Sequence, residues 1–116
     1  MEWLCRVFGF KPIFSVPPEG DPVRHARLGL GTNLIMVGSV RPDEDLDTPE
    51  ALGKSTQALY VHVPDVDAHY QHTLSSGAEI VAAPEDTFFG SRDYTAKDLE
   101  GHLWIFGSQL PAVPSE

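Results

Sequence analysis

Cysteine is nearly absent: Cys5 is the single one in 116 residues. The chain therefore has no intramolecular disulfide and no multi-cysteine zinc site. Basic residues are scarce, 8 against 17 acidic ones, for a formal net charge of −9. A phosphate backbone needs a basic surface, so nucleic acid is not an expected partner. No run approaches the roughly 18 apolar residues of a membrane span, and the opening segment lacks the basic start and apolar length of a secretion signal. These absences predict a protein of the reducing cytoplasm with no membrane partner. No phosphate-cradling loop is evident either, because Gly29-Leu30-Gly31 lacks a strand-to-helix context.

What is present fits one small domain spanning 1–116. Hydrophobic residues make up 41%, enough for one modest core, while ten Gly and ten Pro break the chain into short elements and exclude a helical bundle. A chain of this size buries only about two-thirds of its unfolded surface, so association with a second copy would help it. The acidic surface maintains solubility and can also steer a cationic small molecule inward.

The first helix is expected over 2–8, with Trp3, Leu4, Val7 and Phe8 on one face and Gly9 as its stop. A strand over 10–16 follows, in which Phe10, Pro12, Phe14 and Val16 alternate with Lys11, Ile13 and Ser15. The proline-rich stretch 17–22 reads as a turn, and strands at 23–30 and 34–39 meet at the tight Gly31-Thr32-Asn33 turn. Residues 41–56 lack periodicity and read as a linker between two modules. A strand over 57–63 leads to Asp65, a good cap for a helix over 66–76 that stops at Gly77. Strands at 79–83 (ended by Pro84), 91–96 and 102–106 complete the second module at 57–108, and the tail at 109–116 is expected to fray.

The two halves repeat. Sliding Leu30, Leu34, Gly38 and Ser39 by 69 positions lands on Leu99, Leu103, Gly107 and Ser108, and sliding Gly9 by 68 lands on Gly77. The strand at 57–63 has no counterpart under this shift, so module one, at 1–40, is expected to lack its opening strand.

The stretch TFFGSRDYTAKDLEGHLWIFGS, with its aromatic-Gly-x-Arg and Asp-x-Glu-Gly elements, resembles the C-terminal signature of the glyoxalase/bleomycin-resistance/dioxygenase (vicinal oxygen chelate) superfamily. YVHVPDVDAHYQHTLSSGAEIVAAPED is similar to that superfamily's module-opening strand and helix. WLCRVFGF and HARLGLGTNLIMVGS resemble the matching pieces of module one. The PhnB-like or bleomycin-resistance-like branch is nearest in character. The resemblance implies an α+β fold of two βαβββ modules, with helices on one side of a curved mixed sheet and a concave pocket on the other. In that arrangement Leu59, Val61, Val63, Trp104 and Phe106 pack on helices, while Ala58, Tyr60, His62, Leu103 and Ile105 face the pocket.

Metal-dependent members hold one divalent ion with four inward side chains, two from each module. The three corresponding positions present here carry Met36, Ala58 and Ile105, none a usual ligand for such an ion. No cofactor is therefore expected. Without a metal, the resemblance implies a groove that traps a small molecule. The candidate lining is Arg27, Met36, Tyr60, His62, Phe89, Arg92, Tyr94 and Ile105. Aromatics can stack on a flat ligand, Met adapts its shape, and Arg92 can pair a carboxylate or serve as a salt-bridge partner for Asp93, Asp98 or Glu85. Phe88 and Phe89 fit a core equally well, and His25, His69, His72 and His102 are read as surface residues. The leading expectation is a metal-independent protein that binds a cationic or aromatic small molecule and sequesters a toxic or antibiotic-like compound. The alternatives are a metal-dependent lyase, isomerase or dioxygenase, and an assembly or regulatory protein with an empty groove. An unpaired sheet edge predicts a homodimer.

Overall fold

The computed structural model describes residues 1–16, 25–39 and 47–109. The turn read at 17–22, the strand start at 23–24, the linker's first part at 41–46 and the tail from 110 lie outside the described residues. Along the chain the elements are α1 (Glu2–Phe8), β1 (Lys11–Val16), β2 (His25–Leu30), β3 (Asn33–Val37), α2 (Pro49–Leu52), β4 (Ala58–His62), α3 (Val66–Ser75), β5 (Glu79–Asp86), β6 (Arg92–Lys97) and β7 (Leu103–Gly107). The fold is mixed α+β with two sheets. One is antiparallel with order β1-β2-β3, and the other has order β4-β7-β6-β5 with β4 parallel to β7. Helix α1 precedes β1-β2-β3 as α3 precedes β5-β6-β7, which is the repeat the 69-residue offset describes. Among the described helices none is long and apolar enough to cross a membrane.

Local chemistry accounts for most element ends. Gly9 closes α1 at φ 83°, and Asp65 caps α3 by accepting from Ala68 N at 3.0 Å. Two elements depart from the sequence reading. The linker contains a single helical turn, α2, because Thr48 accepts from Ala51 N at 3.1 Å, Pro49 sits at the first helical position and Gly53 closes the turn at φ 75°. Strand β5 runs through Pro84 to Asp86 instead of ending before it. It is an edge strand, and the register shift between Ala82 and Glu85 spares the proline a ladder bond.

One core joins both sheets to both long helices. Val7, Phe8, Leu28 and Phe106 are fully buried, and Phe8 lies 4.8 Å from Phe106 and 5.5 Å from Trp104, ring centre to ring centre. Val61, Val63, Trp104 and Phe106 face the helices as expected, whereas Leu59 is left largely exposed.

The helices are also tied by hydrogen bonds. A helix leaves its last carbonyls without internal partners, and α1, with seven residues, is too short to be stable by itself. Three successive carbonyls at its end meet side chains of α3: His72 Nε2–H donates to Arg6 O at 2.9 Å, Thr73 Oγ1 reaches Val7 O at 3.4 Å, and His69 Nε2–H donates to Phe8 O at 2.7 Å. His69 is thus not a surface residue. Its Nε2 donates to a carbonyl, and its Nδ1 lies 2.6 Å from the Tyr94 hydroxyl, which is also 2.9 Å from Thr73 Oγ1.

Burial lowers the His69 pKa below its ordinary 6.5, the Phe8 carbonyl opposing the shift and His72 adding to it. The folded protein therefore resists a proton that the unfolded chain accepts. The stability due to neutral His69 is complete above pH 6.5 and declines as pH falls from there to the lower folded value. Melting temperatures followed from pH 7.5 to 5 should fall more steeply for the wild type than for His69→Gln; equal slopes would show that the imidazole is not the titrating group.

Candidate functional site

Each sheet has one face on the core and one face open. On the first sheet the ladder places Phe14 opposite Arg27 and Arg27 opposite Met36. All three side chains are exposed, and the Arg27 guanidinium carbon stands 5.9 Å above the Phe14 ring centre. Leu34 joins them on the same face, 57% exposed. The alternation read from the sequence put Pro12 and Phe14 on one side. A bulge at Ile13 separates them, so Pro12 pairs with Leu28, which faces the core, and Phe14 with Arg27, which faces outward.

On the second sheet Tyr60 pairs with Ile105, and Ile105 with Thr95, across the open face. The Tyr60 hydroxyl donates to Asp93 Oδ1 at 3.0 Å and accepts from Gln109 N at 3.0 Å. Ser91 Oγ donates to the same Asp93 oxygen at 3.1 Å, and Ser91 is held by Thr87, whose Oγ1 accepts from Ser91 N at 3.1 Å. Burial, and then the Asp93 contact, raise the Tyr60 pKa above 10, against an opposing pull from Gln109 N. The phenol is therefore protonated at neutral pH and acts as donor to the carboxylate. Gly107 lies beneath this pair. A Cβ there would strike the Tyr60 hydroxyl and Asp93 Oδ1, so only glycine leaves room for the bond.

His62 lies at the end of β4 in an open hollow of about 560 Å³ between the β2–β3 turn and the start of α3. Leu30, Val63, Pro64 and Ala68 form its apolar walls. Asn33 links its two sides, donating through Nδ2 to Leu30 O at 2.8 Å and to His62 O at 2.9 Å.

Arg27, Met36, Tyr60 and Ile105 thus lie on open faces, and His62 lies in the hollow. Three other candidates do not line them. Tyr94 is 1% exposed, because its ladder partner is Phe106 and both rings stack on the core side, 5.4 Å apart. Burial pushes its phenol up to about 12. Arg92 shares that side of β6 and is held by carboxylates: its Nε and Nη2 donate to Asp67 in α3, and Nη1 donates to Asp86 at 3.1 Å. These partners differ from the three expected from the sequence. Phe89 sits in the β5–β6 loop, 55% exposed, with its ring against Phe88, which is fully exposed, so neither belongs to the core. Phe14 and Asp93 were missed as site residues. The bulge concealed the first, and the long-range partner Tyr60 is what marks the second.

The metal positions can be tested on the side chains present. Met36 is 64% exposed on the first sheet, Ala58 pairs with Leu103, and Ile105 pairs with Tyr60. Two are hydrocarbon and one is a soft thioether, so these three do not fit a divalent ion that takes nitrogen and oxygen ligands. Among the described residues no three His, Cys, Asp or Glu side chains converge.

Two repeated units, each with a helix before three antiparallel strands, define a class of domain, and the comparisons agree with it. The chain belongs to the Glyoxalase/Bleomycin resistance protein/Dioxygenase superfamily, whose family model matches residues 1–106. TioX from Micromonospora sp. ML1 is 37% identical in sequence and superposes with a TM-score of 0.73, over 97% of this chain and 87% of that one. An uncharacterised protein of Mycobacterium bovis is 28% identical over 97% of this chain and 76% of its own length. The fosfomycin resistance protein FosX of Listeria monocytogenes shares the fold at a TM-score of 0.63 and 14% identity, over 93% of this chain and 79% of FosX.

Proposed function

We propose that this domain is a metal-independent small-molecule binding protein of the cytoplasm, taking an aromatic or cationic compound on the open sheet faces and sequestering it. The observation that carries the reading is the exposed group of Phe14, Arg27, Leu34 and Met36, held outward by the β1–β2–β3 ladder and its bulge at Ile13. A contiguous exposed apolar patch on a sheet marks a binding surface. The donor-poor Met36, Ala58 and Ile105 support binding over metal-assisted chemistry. A thermal-shift screen against a broad panel of aromatic and cationic compounds tests it. A ligand at about 100 times its Kd adds about 2.7 kcal/mol of stability. A panel without a binder would count against the reading. A stoichiometric transition-metal ion found by elemental analysis would instead restore the lyase, isomerase or dioxygenase reading.

The same reading includes a homodimer. Edge strands are normally guarded by charge or proline. Strands β1 and β5 carry Lys11, Pro12, Glu79, Pro84 and Glu85, whereas β3 is Asn-Leu-Ile-Met-Val and its outer edge has no partner strand among the described residues. Sedimentation at micromolar concentration should give a dimer that Leu34→Lys weakens; a stable wild-type monomer would remove it.

A further inference from the structure

The carboxylate on the open face of the second sheet is held in an unusual way. Both Tyr60 and Ser91 donate to one oxygen, Asp93 Oδ1, at 3.0 and 3.1 Å. Oδ2 has no hydrogen-bond partner among the described residues. Tyr60 is itself pinned by Gln109 N, and Ser91 is 6% exposed, so the donors are fixed and the carboxylate is presented in one orientation. Gly107 gives the room that the Tyr60 hydroxyl and Asp93 Oδ1 occupy. Beside the carboxylate lie the Tyr60 ring, 42% exposed, and Ile105 opposite it in the ladder.

The charge nearby is one-sided. Arg92, the neighbour in sequence, points to the core side and is occupied by Asp67 and Asp86. Lys97 pairs with Glu79 at 3.5 Å. Glu85 stands directly opposite Asp93 in the β5–β6 ladder, and like charges so placed repel. An aligned acceptor atom, an adjacent aromatic surface and, among the described neighbours of Asp93 in the β5–β6–β7 ladder, no unpaired cation favour a complementary donor that is positively charged, since charge-assisted hydrogen bonds are roughly twice as strong as neutral ones.

We propose that Asp93, positioned by Tyr60 and Ser91, is the group that selects the ligand of this face, and that the ligand class is a planar aromatic bearing a protonated nitrogen. The ring lies along Tyr60 and Ile105, and its N–H donates to Asp93 Oδ2. The proposal rests on the small-molecule reading above and assigns it a chemical class and a specificity residue.

The test uses benzamidinium, with neutral benzamide and anionic benzoate as matched probes, titrated into the whole protein and followed by amide chemical shifts. Benzamidinium should shift the Tyr60, Asp93 and Ile105 amides and bind at least about tenfold more tightly than benzamide. Raising the salt should shrink that margin. Asp93→Asn should abolish the margin, the cationic probe losing at least about tenfold in affinity. Tyr60→Phe, which keeps the ring and frees the carboxylate, should reduce the margin in part and serves if the first variant does not fold. Equal binding of the charged and neutral probes at this face, or a margin that survives Asp93→Asn, would overturn the assignment and leave the small-molecule reading in place. If no probe of any charge shifts these amides, the assignment falls, and the broad ligand panel alone decides the small-molecule reading.

Discussion

Phe8→Ala should cost about 3–5 kcal/mol of folding stability, the usual loss for a buried aromatic truncated to alanine. Phe8 is fully buried and its ring meets Trp3, Trp104 and Phe106 at centre distances of 5.0, 5.5 and 4.8 Å. Through it α1 meets the last strand of the other module. The cavity cannot close easily, because Phe106 is held by the β6–β7 ladder and by His69, 4.4 Å away. A domain of this size has a total stability of about 5–15 kcal/mol, so the variant should melt roughly 20 °C lower. Calorimetry against wild type checks this. A fall of only a few degrees would mean that α1 docks mainly through the three carbonyl contacts from α3. Phe8→Leu, which preserves most of the volume, should recover more than half of the loss.

Asp98→Ala should cost about 3 kcal/mol, through unsatisfied donors rather than a cavity. Asp98 organises the β6–β7 turn. Its Oδ1 accepts from Glu100 N and His102 N at 2.9 Å, and its Oδ2 accepts from Trp104 Nε1 at 2.9 Å. The side chain is 7% exposed, so water cannot readily replace it. Gly101 completes the turn at φ 90°, packed against the backbone of Glu50. Asp98→Asn keeps the shape but replaces one acceptor oxygen with an amide donor, and should lose about half as much. Urea unfolding with an unchanged m value would assign the effect to the native turn. An Asp98→Ala variant within about 0.5 kcal/mol of wild type would show that the turn forms without its carboxylate.

Asp98 also shows what could be read in advance. The Asp-x-Glu-Gly spacing carried the family resemblance and placed a turn there. The same is true of Gly9, Asp65 and Gly31: each acts on backbone within a few residues, so local sequence is enough to place it. The 69-residue offset added the pairing of Met36 with Ile105, because a duplicated sequence carries its own register.

Faces were harder. Strand β6 reads Arg-Asp-Tyr-Thr-Ala-Lys, and neither alternating set is clearly the apolar one. A tyrosine can fill a core or line a groove. The ladder with β7 settled the matter by setting Tyr94 beside Phe106, which carried Arg92 to the core side and Asp93 and Thr95 to the open face. In β1 a single bulge residue, Ile13, exchanged the faces beyond it, and no propensity at that position announces a bulge.

The sequence by itself determined the α+β class, the duplication, most element ends and the oxygen- and nitrogen-poor side chains at the three metal positions, since these depend on backbone preference and residue chemistry. Tertiary structure alone decided which strand faces meet the helices, that His69 grips the end of α1, and that Tyr60 and Ser91 aim Asp93 outward. The Tyr60–Asp93 and His69–Phe8 contacts join residues 33 and 61 positions apart, and the strand faces are set by ladder register. The energies that select them, burial and the satisfaction of polar groups, exist only once distant segments pack together.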